Sequence, residues 1–567
     1  MGTGRRGTRT STLSALAVPA ISAALVAALA ATSTPAAAQP PMTPDGGADD
    51  AVMVRILGID GIAGSLSHPP GYQGTILDGP DRTIPAGGAD YLSATVSHLR
   101  AGAENSVLLS TGDNLGGVQP EAVLNRDEPT LQVLRHMGVA ASAIGELDLV
   151  APSAATMPEH GFPYIASNLA PGDDAPITPF PYLVIDVGGI KIGVIAATTG
   201  SENMEAPPPL YGPPTPAPPP WHPEHRPLQE SFDAATRALE AMGVNSVVGL
   251  LHIDAVHRQN DPAACPEEIA EMPELREVSS SVDALFVGDS GGPATCDLTD
   301  PTNARRPVLS PASHGRSVAV VDLLIDPTTG RAQREQSSTY NQKVHHDITP
   351  DAEVTDLIDA ATASAAENDT EVFGSASEKA SREILPSGES ALANLMADAQ
   401  WEATRDEGAD LAIYNPDSLR TDLPEGELSY RDLHAVQPYG DRVQIATVSG
   451  DRLRDAFNAY IDDVGTRGIA VSENVELDID PTRPEGERLV GAKIDGTEIE
   501  PGREYKVAAN EFLVSSEWGA APLTTLTSEP EWSGLFDIHT LAEYVRSHET
   551  VRPPAVNQRL LDVSAGS

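Results

Sequence analysis

The sequence predicts an α/β protein with two domains, because of its strand pattern and its length. Five short apolar runs in the first half each end in a small polar cluster, as buried parallel strands do when a turn follows. The chain has 567 residues, more than one hydrophobic core usually organises. Ligands of open α/β sheets collect beyond the carboxyl ends of the strands, so each polar cluster is a candidate site position. The runs are residues 54–66, 106–114, 141–150, 246–254 and 282–292.

The N-terminus has the three parts of a secretory signal peptide. Arg5, Arg6 and Arg9 precede an apolar stretch over residues 13–31, and a small-residue segment ending at Ala38 follows. This order predicts export with cleavage after Ala38. No other stretch of the sequence is long and apolar enough to span a bilayer. We therefore expect a secreted or extracytoplasmic protein without a membrane span.

The predicted export bears on the redox state of the two cysteines of the chain. Cys265 and Cys296 lie in one stretch of the first domain, and a single pair of cysteines in an oxidising compartment predicts a disulfide.

The net charge of the chain disfavours some classes of binding partner. Acidic residues outnumber basic ones 82 to 36, which gives a net charge of −46. Such a balance opposes binding to a nucleic acid polymer or to an anionic membrane surface. It is compatible with attraction of metal cations and equally with a solvated acidic surface.

Composition divides the chain into five segments. Residues 182–199 contain two apolar runs around a Gly-Gly pair, which predicts a hairpin. The Pro-rich residues 206–220 predict a surface loop, either a lid or recognition segment or an idle insertion. The Ala-rich, Pro-free residues 351–368 predict a helix that links the halves. The predicted order is a signal peptide (1–38), a disordered leader (39–50), a first domain (51–345), a linker helix (346–369) and a second domain (370–563).

The clusters resemble the motifs of the secreted 5'-nucleotidase family of calcineurin-like metallophosphoesterases. Those motifs run LHTNDxHG, GD, GNHE/D, a strand ending in SH or similar, and GHSH or GHSQ. The second half of the chain also matches, in residues 391–400 (LGNLxADA in the family), 413–426 (NGGGIRxxLPxG), 435–453 (VLPFGNxLxxxxxTGxxL) and 508–518 (NDFLAxGGDG(F/Y)). The resemblance implies a four-layer metallophosphoesterase-type sandwich domain followed by a second α/β substrate-binding domain.

The resemblance also implies a dimetal site, and one of its two metal positions keeps residue types that can ligate. Asp113 stands at the shared aspartate, Glu146 replaces an asparagine, His252 is retained and Asp289 replaces a histidine. Three carboxylates and one imidazole form a hard, oxygen-rich donor set that suits Mn, Mg, Ca or Fe better than Zn. We expect one divalent metal here, the alternative being leftover acids in a solvated cleft.

The other metal position lacks its ligands. An ungapped match sets Gly61 and Ala63 on the aspartate and histidine of DxH, whereas a shift by one residue sets Asp60 and Ile62 there. Gly291 stands where the fifth cluster should supply a further ligand. A second metal is therefore predicted to be absent.

The catalytic dyad of the family is replaced as well. Leu147 stands for its histidine and Val150 for its aspartate. Losing a group that meets charge only in the transition state costs about a hundredfold or more in rate. His68, just beyond the first cluster, is the one histidine nearby that could substitute. We therefore assign no catalytic residue.

Part of a ligand pocket survives in the second half. Asn415 and Arg420 match the Asn and Arg of NGGGIR, while residues 416–418 replace its glycines. Tyr439 keeps an aromatic platform on which a base could stack, and Trp518 is a candidate second ring. The resemblance thus implies a nucleotide or another phosphoester as the ligand.

Two functions remain open at this point. The first is an exported pseudoenzyme of the family that binds one metal and a nucleotide-like ligand. The second is an active metal-dependent 5'-nucleotidase or phosphoesterase of nucleotide catabolism with an altered, mononuclear site. The loss of the dyad and of one metal shell favours the first.

Overall fold

The computed structural model describes most of the chain after the leader. It covers residues 51–80, 82–151, 153–170, 178–199, 224–253, 260–462, 468–515 and 530–564. The predicted signal peptide, the leader, the Pro-rich loop and Trp518 lie outside these residues, as does the side chain of Val150. The described residues belong to a single compact unit. Below, the N-terminal half means residues 51–345 and the C-terminal half residues 370–564.

The N-terminal half alternates strands with short helices. Its strands are β1 (Val52–Ile59), β2 (Thr75–Leu77), β3 (Thr83–Pro85), β4 (Ser106–Ser110), β5 (Val139–Ala143), β6 (Tyr164–Ile165), β7 (Leu169–Ala170), β8 (Leu183–Val187), β9 (Ile190–Thr198), β10 (Glu224–His225), β11 (Ser246–His252), β12 (Ala284–Gly288), β13 (Ala294–Thr299), β14 (Arg305–Ser310), β15 (Ser317–Ile325) and β16 (Ser338–Lys343). Its helices are α1 (Ala89–Ala101), α2 (Pro120–Val123), α3 (Glu128–Met137), α4 (Glu146–Val150), α5 (Leu228–Ala241), α6 (Glu267–Ala270) and α7 (Pro273–Glu277).

Two six-stranded sheets carry the five predicted strands. The first sheet has the order β16-β15-β1-β4-β5-β6 and the second β13-β14-β12-β11-β9-β8. Strands β1, β4, β5 and β6 run parallel in the first sheet, as do β9, β11, β12 and β14 in the second. The predicted hairpin is confirmed, since β8 and β9 pair antiparallel around the positive-φ Gly188 and Gly189.

The two sheets pack face to face and helices cover their outer faces. Gly58 on β1 shows how close the sheets come, because a Cβ there would lie 2.4 Å from the Phe286 ring of the second sheet. Outside the first sheet, α1 and α3 bury residues such as Leu92 and Leu134, and outside the second sheet α5 buries Phe232. The predicted four-layer sandwich is confirmed.

A long helix, α8 (Ala352–Asn368), follows the N-terminal half and begins at Asp351, whose side chain accepts hydrogen bonds from the next turn. The strands that follow are β17 (Gly374–Ala376), β18 (Leu411–Tyr414), β19 (Gly426–Leu428), β20 (Arg442–Ser449), β21 (Ala470–Val471), β22 (Val475–Ile479), β23 (Leu489–Ile494), β24 (Thr497–Glu498), β25 (Glu504–Asn510), β26 (Glu531–Phe536), β27 (Thr550–Val551) and β28 (Leu560–Asp562). The helices of this half are α9 (Ala391–Thr404), α10 (Tyr430–Val436), α11 (Gly450–Asp462), α12 (Glu511–Ser515) and α13 (Asp537–His548).

The C-terminal half is the second α/β region that the sequence predicts. Its largest sheet has the order β21-β18-β25-β20-β26, next to a four-stranded sheet, β24-β23-β22-β28, and a three-stranded one, β19-β17-β27. Strand β20 lies inside the five-stranded sheet and begins at Arg442, so its first side chain is firmly positioned. None of the helices within the described part of the chain has the length and apolarity that a membrane crossing requires.

The predicted disulfide is present between Cys265 and Cys296, at a Cα–Cα distance of 4.9 Å. The bond closes a loop with a sequence separation of 31 residues and ties the segment before α6 to the edge strand β13.

We expect the double variant Cys265→Ser/Cys296→Ser to lose about 3–4 kcal/mol of unfolding free energy, because a loop of this length restricts the unfolded chain by that amount. Urea denaturation followed by circular dichroism measures the loss, and wild-type protein treated with a reductant is the control. Equal urea midpoints for oxidised and reduced protein would contradict the expectation.

Candidate active site

The ends of four parallel strands bring the four predicted ligands to one place. Asp113 follows β4, Glu146 opens α4 after β5, His252 ends β11 and Asp289 follows β12. The donor atoms of Asp113, His252 and Asp289 lie within 4.8 Å of one another. Glu146 lies beside them, because Arg442 contacts its carboxylate as well as those of Asp113 and Asp289. We call Asp113, Glu146, His252 and Asp289 the acidic cluster.

His252 is oriented as a ligand would be. Its Nδ1 lies 3.0 Å from the backbone carbonyl of Thr111, which leaves Nε2 facing Asp113 Oδ2 at 3.5 Å. Within the described residues, neither that Nε2 nor Oδ2 of Asp289 has a hydrogen-bond partner, although both atoms are buried. A hydrogen bond between one ring nitrogen and a fixed acceptor is what orients a metal-binding histidine. The donor set by itself therefore fits a cation.

The cation that the structure places among these donors is the guanidinium of Arg442. Its Nη2 lies 3.4 Å from Glu146 Oε2, 3.4 Å from Asp289 Oδ1 and 3.8 Å from Asp113 Oδ2. A divalent metal bound to the same oxygens would meet this positive charge at close range. With Arg442 in place, the residues present do not fit a divalent metal.

The pKa values in the cluster show an excess of negative charge. Burial alone would lower the pKa of His252, but Asp113 and Asp289 oppose it and the pKa rises to about 9. Burial raises the pKa of Glu146 to about 7 and that of the neighbouring Asp60 to about 7. The raised pKa values favour protonation of these groups. Bound protons and the guanidinium of Arg442 therefore both reduce the negative charge of the cluster.

Asp148 holds the two loops that carry Asp113 and Glu146. Its carboxylate accepts hydrogen bonds from four backbone N–H groups, at distances between 2.9 and 3.2 Å; the donors are Asp113, Asn114, Leu115 and Gly145. Gly145 is required here, since a Cβ would lie 2.0 Å from Asp113 Oδ1.

The second predicted metal position contains other groups. Asp60 accepts a hydrogen bond from Thr111 Oγ1 at 2.5 Å, and the carbonyl of Gly291 accepts from the buried Arg316 and from Ser313 Oγ. A Cβ on Gly61 would contact Ser313 at 3.4 Å. Arg316 and Ser313 thus lie against two of the glycines that stand where ligands are missing.

The dyad position faces an apolar environment. Leu147 is 8% exposed and belongs to the hydrophobic cluster of the C-terminal half, against which Ala63 also packs. Leu147 contributes its backbone N–H to the site, which donates to Asp113 Oδ1 at 2.8 Å. His68 packs edge-on against His346, with ring centroids 4.7 Å apart.

Tyr72 covers the predicted aromatic platform. Its ring stacks on Tyr439 with centroids 5.6 Å apart and leans on Phe512 at the same distance. The Tyr72 hydroxyl donates to Asp441 Oδ1 at 2.9 Å. Gly71, at φ +56°, lies so near Tyr439 that a Cβ would reach within 2.4 Å of its hydroxyl. Tyr439 is consequently only 4% exposed.

The residues predicted to lie near a ligand phosphate, Asn415 and Arg420, form hydrogen bonds with neighbouring side chains. Arg420 Nε donates to the Tyr439 hydroxyl at 2.6 Å, and its guanidinium carbon lies 4.8 Å from the ring centre. Asn415 Oδ1 accepts from Asn510 at 3.0 Å, while its amide nitrogen donates to Asp417 at 3.1 Å. The structure therefore brings Arg420 and Tyr439 together and joins Asn415 to a different strand end.

Known proteins share this architecture. Residues 366–525 match the family model described as 5'-nucleotidase, C-terminal domain. The structure is similar to that of the NAD nucleotidase of Haemophilus influenzae, with a TM-score of 0.62 and 16% identity, over 89% of this chain and 98% of that one. A 5'-nucleotidase precursor from Thermus thermophilus gives a TM-score of 0.52 with 18% identity over the same shares. The C-terminal half therefore contains a domain of the 5'-nucleotidase C-terminal type, and the whole chain shares its fold with these nucleotidases.

Two curated relatives are distant and longer than this chain. It is 23% identical over 518 residues to Endonuclease YhcR of Bacillus subtilis (strain 168), which covers 88% of this chain and 40% of that protein. It is 24% identical over 531 residues to Cell wall protein Lmo0130 of Listeria monocytogenes serovar 1/2a, covering 82% and 64%. The chain spans less than two thirds of the length of either relative.

Two residues of the site could not be found from the sequence motifs. Arg442 occupies a position that the family pattern leaves variable, and Tyr72 lies in a turn between motifs. Asp148 stands at the last position of GNHE/D, but the motif does not indicate that it supports the loops. Charge balance is the one signal that points to Arg442, because a largely buried group of carboxylates requires a cation.

We expect Asp148→Ala to reduce the unfolding free energy by at least about 3 kcal/mol, because it leaves several buried N–H groups without an acceptor. Chemical denaturation measures the loss. Asp359→Ala, at an exposed position of α8, is the matched control and should change stability by less than about 0.5 kcal/mol. Equal stability of the two variants would show that Asp148 does not hold the loops.

Proposed function

We propose that the protein is an exported, non-catalytic member of the 5'-nucleotidase family that retains a pocket for a nucleotide-like ligand. The observation that carries the proposal is the apolar burial of Leu147, which stands for the catalytic histidine of the family. Its side chain cannot donate or accept a proton, and it lies in a hydrophobic cluster.

The surroundings of Leu147 support the same conclusion. Ala63, at the second missing histidine, packs against the same cluster, together with Val118 and Leu124. His68, the one candidate substitute, is engaged with His346 instead. In-line attack on phosphorus needs groups that meet the charge of the transition state, and no side chain at these positions supplies it.

The sequence predicts one divalent metal at the acidic cluster, because its oxygen and imidazole donors would suit Mn, Mg, Ca or Fe. The proposed function does not include this metal, because Arg442 lies among the donors. No second metal is expected beside Gly61 and Gly291.

Export of the chain is supported by its N-terminal pattern and by its disulfide, since such bonds persist in oxidising compartments. The relative named a cell wall protein is in keeping with a location outside the cytoplasm.

An active, mononuclear phosphoesterase is the competing function. The observation in its favour is the approach of three donors within 4.8 Å, two of them with an unpartnered buried atom. Activity measurements separate the two functions.

We expect phosphate release from AMP, and from other 5'-mononucleotides, to stay near background with Mn, Mg, Ca or Zn. Each tenfold loss of rate corresponds to about 1.4 kcal/mol of barrier, and the missing dyad and metals should remove several such factors. A malachite green assay measures the phosphate, with Asp113→Ala as the background control. A turnover number near 10 per second that disappears in Asp113→Ala would establish the competing function.

A nucleotide-like ligand has one place with suitable chemistry. The ring of Tyr72 lies against Tyr439 and Phe512, and its hydroxyl donates to Asp441. Arg420 lies beside Tyr439. We therefore expect a base to bind only by displacing Tyr72.

Millimolar AMP should raise the melting temperature of wild-type protein only modestly, whereas Tyr72→Ala should bind AMP about tenfold more tightly, because stacking on an aromatic ring contributes about 1–3 kcal/mol per base. Isothermal titration calorimetry measures both affinities. Tyr72→Ala/Tyr439→Ala is the control and should lose the gain. Equal affinities of wild type and Tyr72→Ala would exclude this slot as the ligand site.

A further inference from the structure

Arg442 belongs to the C-terminal half, but its guanidinium lies in the cleft of the N-terminal half. It is the first residue of β20, which is hydrogen-bonded to β25 on one side and β26 on the other. Its side chain is 16% exposed, and its guanidinium carbon lies 5.1 Å from the centre of the Trp532 ring. Both the backbone and the ring fix the direction of the side chain.

A single nitrogen of Arg442 serves three carboxylates. Nη2 approaches Glu146, Asp289 and Asp113 at 3.4 to 3.8 Å, longer than the 2.7–2.9 Å or so of a dedicated charge-assisted hydrogen bond. A nitrogen shared among several oxygens has the placement that a monatomic cation takes in a carboxylate cage.

Charge supports this role. The buried Asp113 and Glu146 and the half-buried Asp289 would repel one another without a cation, and guanidinium keeps its charge at any physiological pH. Burial would lower the pKa of Arg442, but the facing Asp289, Glu146, Glu511 and Asp113 outweigh it and raise that pKa well above its ordinary range.

We propose that Arg442 is the resident cation of the acidic cluster, holding the place of a divalent metal, so that metal binds only when this guanidinium is removed. The proposal rests on the proposed function in so far as both concern the same cluster, but it makes its own prediction about metal content. It also accounts for the retention of four ligand-type residues in a cleft where a metal ion would meet a fixed positive charge.

The test is manganese binding by the full mature chain. Wild type, dialysed against Mn²⁺ and measured by isothermal titration calorimetry and metal analysis, should hold no stoichiometric metal. Arg442→Met should bind one Mn²⁺ per chain, at least about a hundredfold more tightly than wild type, because the cage then lacks its cation. Arg442→Met/Asp289→Asn should lose this binding, and Arg442→Lys, which keeps a positive charge, should remain without metal.

Arg503→Met is the matched control. Arg503 also lies over an aromatic ring, Tyr505, and 3.6 Å from a carboxylate, Asp410, but outside the cluster. It should bind no more Mn²⁺ than wild type. If Arg442→Met is too unstable to purify without metal, it is purified with Mn²⁺, and its melting temperature should then rise with Mn²⁺ while that of wild type does not.

The outcomes separate this inference from the proposed function. Stoichiometric Mn²⁺ in wild type with the affinity of Arg442→Met, or no Mn²⁺ in either protein, overturns the inference. Phosphate release from AMP by metal-free wild type overturns only the proposed function, whereas wild type that binds Mn²⁺ without releasing phosphate overturns only the inference. Arg442→Met that binds Mn²⁺ and leaves AMP intact supports both.

Discussion

Buried negative charge at the ends of the parallel strands is the constraint on which the rest of the site depends. Two sheets packed face to face deliver Asp113, Glu146 and Asp289 to one small volume, and a low-dielectric interior makes such a group costly unless positive charge or protons accompany it. Arg442, from the C-terminal half, supplies positive charge, and the raised pKa of His252 favours a bound proton. Asp148 then keeps the loops in register by collecting their backbone N–H groups.

The replacements at the centre of the site form a consistent set. Leu147 and Ala63 stand at the two positions that the resemblance assigns to histidines, and they add apolar contact to the core of the C-terminal half. Tyr72 places a ring of the chain itself against Tyr439 and Phe512. All three side chains thus make their contacts within the protein.

Much of the fold could be predicted from the sequence, because the strands leave a local signal. Apolar runs with polar ends define the strands, and the glycines of a hairpin mark a turn, so the sandwich and the place of Asp113 or His252 follow from the order of motifs. Arg442 could not be predicted this way. Its partners in the acidic cluster lie 153 residues or more away in the chain, and nothing in a strand that begins with arginine indicates where that side chain ends. Tyr72 could not be predicted for the same reason.

The origin of Arg442 has a consequence for how the protein unfolds. A chain that ended before β20 would keep every acid of the cluster and lose the guanidinium that balances them, so the N-terminal half alone would carry an uncompensated charge in its interior. Partial unfolding of the C-terminal half would leave the same uncompensated charge in the N-terminal half. We therefore expect the two halves to unfold in one cooperative transition, because the charges of the acidic cluster couple them.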